Sequence, residues 1–452
     1  MARRPAAPKT PDGPARRTVM LALAGALALG AAAPATAQAP AHLLVGDTAA
    51  ARLYIYAARG DFPLVATVDD LAVGAHAGVV ALPDGRVLVP DDRNKQLVVL
   101  RLGGSGPGVE RRVPMPIPLP ARYAWAAVDP EGRFFAATGL DSDESVKLLT
   151  LVDLASYAAK QFRVDAGSAD AELNLAVGGG PEPAVFLHLA ERVDSYRIAD
   201  LMRPEAKINV LLDGSLKPVS SLPLGRGGHS NAFSAATGKW TGSTLRGFEI
   251  ARAAGAALTE ARTLPWAVEE RAGGRNARQR LTADGRHAFG PLNAPVPPPR
   301  WAEAEVDLHW VDLAAETVAR TPLARGQVGR GGVSARFAAY ASVHPDGDHL
   351  NLVDVDPASP GFRQAVARVP LPKLANGPVA GEPTAGREGR HSAVTPDGRL
   401  AFVSQGGEGR VHVIDTGARM VARVIETPTP LRGGGYLAAV QPGATQADFS
   451  AR

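Results

Sequence analysis

The run GREGRHSAVTPDGRLAFVSQGGEGRVHVIDTGARMVARVIET, residues 386–427, reads as four short strands in succession. His391-Ser-Ala-Val-Thr395 is the first, and Pro396-Asp397-Gly398-Arg399 closes it with residues that favour the tight backbone joining antiparallel strands. Residues 400–405 alternate as a second strand, 406–409 turn the chain again, and 411–415 and 420–425 complete a meander. One four-stranded antiparallel sheet of about 45 residues is the size of a propeller blade.

Working outward, the same pattern recurs. Ala75-His76 leads to Pro83-Asp84-Gly85-Arg86 and a strand at 97–100, and Trp125 leads to Asp129-Pro130-Glu131-Gly132-Arg133 and a strand at 148–151. Weaker copies run through 172–177 with 184–189, through 229–234, through 280–289 with its Asp284-Gly285-Arg286, and through 337–343 with 350–355. Residues 42–68 carry three strands with no innermost strand before them, while 433–440 reads as the opening strand of one more blade. Strands from both ends therefore close the ring and remove its free edges. The fold class is all-β: a single β-propeller of about eight four-stranded antiparallel blades, at about 50 residues each. Seven is the alternative, if the unit over 331–356 is a long outer hairpin of the blade before it. Outside the leader no long stretch sustains a helical period, and the Gly- and Arg-rich runs 216–228, 271–278 and 375–389 read as loops.

Residues 1–37 read as a signal peptide: Arg16-Arg17 precede the apolar run 19–33, and Ala35-Thr36-Ala37 offers a small-x-small cleavage site. The paired arginines also suit a twin-arginine signal, with residues 38–452 as the propeller. A periplasmic or secreted protein follows, with no transmembrane segment in the mature chain, which is expected to act as a monomer. The leader's five basic residues against Asp12 account for the whole formal charge of +4, so the mature chain is about neutral and nucleic acid is not an expected partner. The chain of 452 residues has no cysteine, which excludes disulfides, CxxC redox chemistry and c-type haem attachment.

With its repeated small residue and His, its Pro-Asp-Gly-Arg turn and its Val411-His-Val-Ile-Asp415 strand, the sequence resembles the YVTN/YncE-like family of exported bacterial β-propellers. The match is sharp over 75–100, 125–154 and 386–425. More distantly it is similar to the propeller-type periplasmic zinc metallochaperones, although their His-Gly and Asp-His clusters are not found here. The resemblance implies the fold and export, and says little about activity, since propellers serve as enzymes, carriers and scaffolds.

Three blades open their innermost strand alike, at His76, His229 and His391. Innermost strands converge on the central channel, so these imidazoles are candidate ligands for zinc or copper, with a structural role in fixing the chain at the blade opening as the other reading. His344 and His349 flank a turn and read as a solvated pair, with a surface metal site as the alternative; His188, His309 and His412 read as sheet residues. Asp91-Asp92-Arg93-Asn94 reads as a hairpin rather than a calcium loop. Nucleophile-elbow, His-Glu-x-x-His and P-loop motifs are absent, as is a cysteine nucleophile. By register alone Asp129, Glu172, Arg278 and Arg280 could face the channel mouth, with Trp125, Tyr340 and Tyr436 near blade openings. The expected function is a non-enzymatic binding protein for a small ligand, a divalent metal or a periplasmic protein. The alternatives are a lactonase-like hydrolase or oxidoreductase on a propeller scaffold, and a protein-interaction scaffold.

Overall fold

The structure is a computed structural model that describes residues 41–74, 76–103, 106–116, 122–140, 145–168, 173–206, 216–268 and 279–443. The expected leader, Glu172 and Arg278 lie outside these residues. Eight antiparallel sheets form a ring, each with four strands running outward from the centre; the seventh carries a fifth, two-residue segment. The eight-bladed expectation holds, and the seven-bladed alternative fails because Phe337–Val343, Asp348–Asp354 and Ala365–Leu371 share a sheet with Gln327–Val328 rather than extending their neighbour.

Blade 8 shows why the repeat folds as it does. Ser392–Val394, Leu400–Gln405, Arg410–Asp415 and Met420–Glu426 pair in sequence order. In the first turn Gly398 takes a φ of 72°, a conformation that costs other residues strain, and the Asp397 carboxylate accepts the Arg399 N–H at 3.0 Å. The same device recurs at Gly85 with Asp84 and at Gly285 with Asp284. A second aspartate ends the third strand and caps the next turn: Asp415 accepts from Gly417 and Ala418, Asp153 from Ala155 and Ser156, and Asp312 from Ala314 and Ala315.

The apolar face of each blade buries against its neighbour. Phe289 and Trp310 of blade 6 pack with Ala338 and Val353 of blade 7, and Leu43 and Tyr54 of blade 1 pack with Phe402 and Val411 of blade 8. Blade 1 is composite: Tyr436–Val440 supplies its innermost strand and pairs antiparallel with His42–Asp47, Leu44 facing Ala438. Closure by strands from both ends is thus observed as expected.

Two local readings change. The first strand of blade 7 is expected at 337–343, but Phe337–Val343 is its second strand. Its innermost strand is split into Gln327–Val328 and Gly332–Val333 around Arg330, a run with no apolar alternation to announce it. There the backbone passes so close to its neighbours that a Cβ on Gly331 would fall 2.2 Å from the Tyr340 ring and one on Gly332 would fall 2.4 Å from the Ala393 backbone. The loop read at 216–228 contains the outer strand of blade 4, Ser220–Pro223, held by hydroxyls: Ser221 donates to Asp194 at 2.6 Å, and the Ser195 and Ser220 hydroxyls lie 2.7 Å apart. The innermost strands are unequal, from two residues in blades 2 and 6 (Val80–Ala81, Arg280–Leu281) to seven in blade 3 (Arg122–Val128).

The Asp312 carboxyl gives a test of the turn device. Burial alone would raise its pKa, but Arg286, at 2.8 Å, and the two backbone N–H groups outweigh it and hold it at about 2. A depressed carboxylate contributes stability above its unfolded pKa of about 3.9 and loses it as pH falls toward 2. Asp312→Asn is expected to lower stability by about 1–2 kcal/mol at pH 7, a figure trimmed for the half-exposed Arg286, and the deficit should shrink to a small part of that at pH 2. Urea unfolding at both pH values measures it, and an unchanged deficit at pH 2 would remove the carboxylate from the account.

Candidate functional site at the channel

The innermost strands run from the histidine-bearing openings at one end of the channel to the first turns at the other. At the turn end, residues 81–83, 128–130, Phe233 and 281–285 line a largely apolar cavity of about 230 Å³. Toward the other end lies a tighter cavity of about 40 Å³, bounded by Ala77–Val79 of blade 2, Arg280 of blade 6, Arg330–Val333 of blade 7, His391–Val394 of blade 8 and Tyr436–Ala438 of blade 1. A space of that size holds a few waters or one small ion.

The three blade-opening histidines fall into two places. His76 and His229, from blades 2 and 5, both set their rings edge-on to the Trp125 indole of blade 3, with centroids at 6.0 and 5.5 Å. His391 instead lies against the Tyr436 ring, with centroids 4.7 Å apart. Its Nδ1 accepts the Leu437 N–H at 3.2 Å, joining blade 8 to the innermost strand of blade 1. A neutral imidazole that accepts at Nδ1 carries its proton on Nε2, which leaves no lone pair for a metal. Among the described residues no three or more His, Asp or Glu side chains converge closely enough to hold a metal ion.

The remaining candidates are mostly absorbed by the fold. The Asp129 carboxylate accepts the N–H groups of Arg133 and Phe134 and the Arg133 Nε, so it fixes a turn. Asp91 does the same for Ala72, Arg93 and Asn94 and also binds the Asn94 and Gln96 amides, which bears out the hairpin reading. His344, read as solvated, is tied at both ring nitrogens, to the Ala302 carbonyl and the Asp346 N–H. His188 is enclosed against Trp240, and burial pushes its pKa down to about 3; His412, desolvated and 2.7 Å from the Gln405 amide oxygen, falls to about 4. Tyr340 packs between blades 6 and 7, whereas Tyr436 lines the smaller cavity and accepts the Val79 N–H on its hydroxyl at 2.9 Å.

Sequence reading missed three residues near the channel. Arg330 lines the smaller cavity. Asn231 and Gln279, on the inner edges of blades 5 and 6, are fully buried with both amide atoms lacking a hydrogen-bond partner among the described residues, as does the Trp125 indole nitrogen. Gln279 and Asn231 are neighbours through Ser230, whose hydroxyl accepts the Gln279 N–H at 2.6 Å. No motif marks any of these positions.

Comparison with solved structures shows the fold elsewhere. Two structures of AztD from Citrobacter koseri, one of the apo form, each match 89% of this chain and 98% of their own at 11% identity, with TM-scores of 0.58 and 0.60. Dihydro-heme d1 dehydrogenase NirN, in complex with DHE, matches 89% of this chain and 75% of its own at 15% identity, with a TM-score of 0.55. At these identities the likeness is one of fold alone. No family model matches the chain, and no curated protein matches its sequence.

The tautomer at His391 is directly testable. Nitrogen-detected NMR of histidine-labelled protein should show the His391 imidazole protonated at Nε2 and bare at Nδ1. A signal from an Nδ1-protonated ring would remove the Leu437 bond and return His391 to the ligand candidates.

Proposed function

We propose that the chain is an exported, non-enzymatic binding protein that holds its ligand at the histidine end of the channel, and that this ligand is a zinc or copper ion taken by His76 and His229. The observation that supports the reading is the convergence of imidazoles from two non-adjacent blades on the one Trp125 ring. Imidazole nitrogens suit both metals, and two protein ligands leave positions for water or for a receiving protein's groups, the arrangement a carrier needs to release its cargo. His391 joins the set only by surrendering its bond from Leu437. Kinship with the YncE-like propellers, a periplasmic or secreted location and action as a monomer belong to the same proposal, and rest on the repeat motifs and leader. No helix among the described residues is long and apolar enough to cross a membrane.

Titration of the chelator-stripped mature chain with zinc, against a competing chromogenic chelator, tests this. About one zinc per chain is expected, with His76→Ala and His229→Ala each weakening it by roughly tenfold or more. His391→Ala should leave affinity nearly unchanged while costing about 1 kcal/mol of stability through the lost hydrogen bond. Wild-type affinity in both the His76 and His229 variants would sink the metal reading.

A further inference from the structure

We propose that the central channel also holds a small oxyanion, a carboxylate or phosphate group, on the guanidinium of Arg330. The position is fixed by the fold. Arg330 sits where the innermost strand of blade 7 is interrupted, and its carbonyl accepts both the N–H and the hydroxyl of Ser392, at 2.9 and 3.0 Å, which clamps blade 7 to blade 8. The two glycines that follow cannot be replaced without collision with Tyr340 and Ala393, so the backbone beneath the side chain has no room to shift.

The charge around it is unbalanced. Arg330 borders the 40 Å³ cavity together with Arg280, His391, Ser392 and Tyr436. Among the described residues no carboxylate hydrogen-bonds its guanidinium, and the charges that act on it do so at longer range. Arg122 adds charge of the same sign nearby, and Asp92, the opposing charge in its field, also faces the cations Lys95 and Arg122. Although the side chain is partly open to the cavity, surrounding protein desolvates the guanidinium enough to pull its pKa down to about 10. An arginine elsewhere in this ring shows the usual solution: Arg390, fully buried, is matched by Asp348 at 2.8 Å. Arg330, partly exposed where Arg390 is buried, has no such carboxylate among the described residues. A planar fork of donors on a residue that lines a cavity sized for one small ion is the chemistry that recognises carboxylate and phosphate oxygens.

This site uses neither His76 nor His229, so it stands or falls apart from the metal reading. Thermal unfolding and calorimetry of the mature chain in an anion-poor buffer, then with millimolar inorganic phosphate or acetate, test it, and the two probes separate phosphate from carboxylate. At least one probe is expected to raise the wild-type Tm and to bind near one per chain. Arg330→Met should abolish that response while unfolding no earlier than wild type in anion-poor buffer, because an unpaired charge has been removed. Arg330→Lys, which keeps the charge but loses the fork, should bind the same probe roughly tenfold to a hundredfold more weakly. Zinc affinity should be the same in wild type and Arg330→Met. No response of the wild-type protein to either probe overturns the proposal without recourse to a variant. A Met variant that keeps the full response, or that is destabilised in anion-poor buffer while wild type ignores both probes, assigns Arg330 to structure.

Discussion

The ring depends on one pairing, the five residues of Tyr436–Val440 against His42–Asp47. Each of the other blades is made from a continuous stretch of chain and could form its hydrogen bonds locally, but none can bury its faces alone. The eighth interface closes only when distant segments meet, and the loop-closure entropy of that meeting is set against the burial of two blade faces. The side chains around the seam reinforce it: the Leu431 N–H reaches Asp47 at 3.2 Å, the Tyr436 hydroxyl accepts from Val79, and His391 accepts from Leu437. One strand thereby touches blades 1, 2 and 8 at once, and the histidine with the most conspicuous motif is spent there.

The fold was legible because its punctuation is chemical. A turn that needs a positive φ and a carboxylate aimed two residues on can be read from Asp-Gly-Arg, and the strand Leu400–Gln405 is visible beside such punctuation. Where a strand is held by hydroxyls or by backbone alone, as at Ser220–Pro223 or at the split segment around Arg330, the sequence carries no apolar rhythm and reads as loop.

The candidate site was legible in part. Equal positions in the repeat do bring His76 and His229 to one ring, but equal position does not mean equal duty, because the neighbour of each blade differs. For His391 the neighbour is the incoming terminal strand, and its backbone N–H claims the ring nitrogen. Arg330, Asn231 and Gln279 gave no signal because a place at a cavity, for the first, and burial without a partner, for the other two, are properties of the assembled ring, not of a local string.

The inequality of the innermost strands has a further consequence. The tighter cavity is bordered by blades 2, 6, 7 and 8, whose inner pairings are two or three residues long, together with blade 1. Blades 3 and 5, with seven and six, fill their share of the bore with continuous strand. Where the innermost strand is long it also carries packing between blades, as Ala124, Trp125 and Ala127 of blade 3 do against Leu175 and Val177 of blade 4, so the inner edge is free to change length chiefly where its pairing is already short. Such a scaffold can acquire, resize or lose a central compartment through changes of one or two residues at its hub, while its rim stays the same.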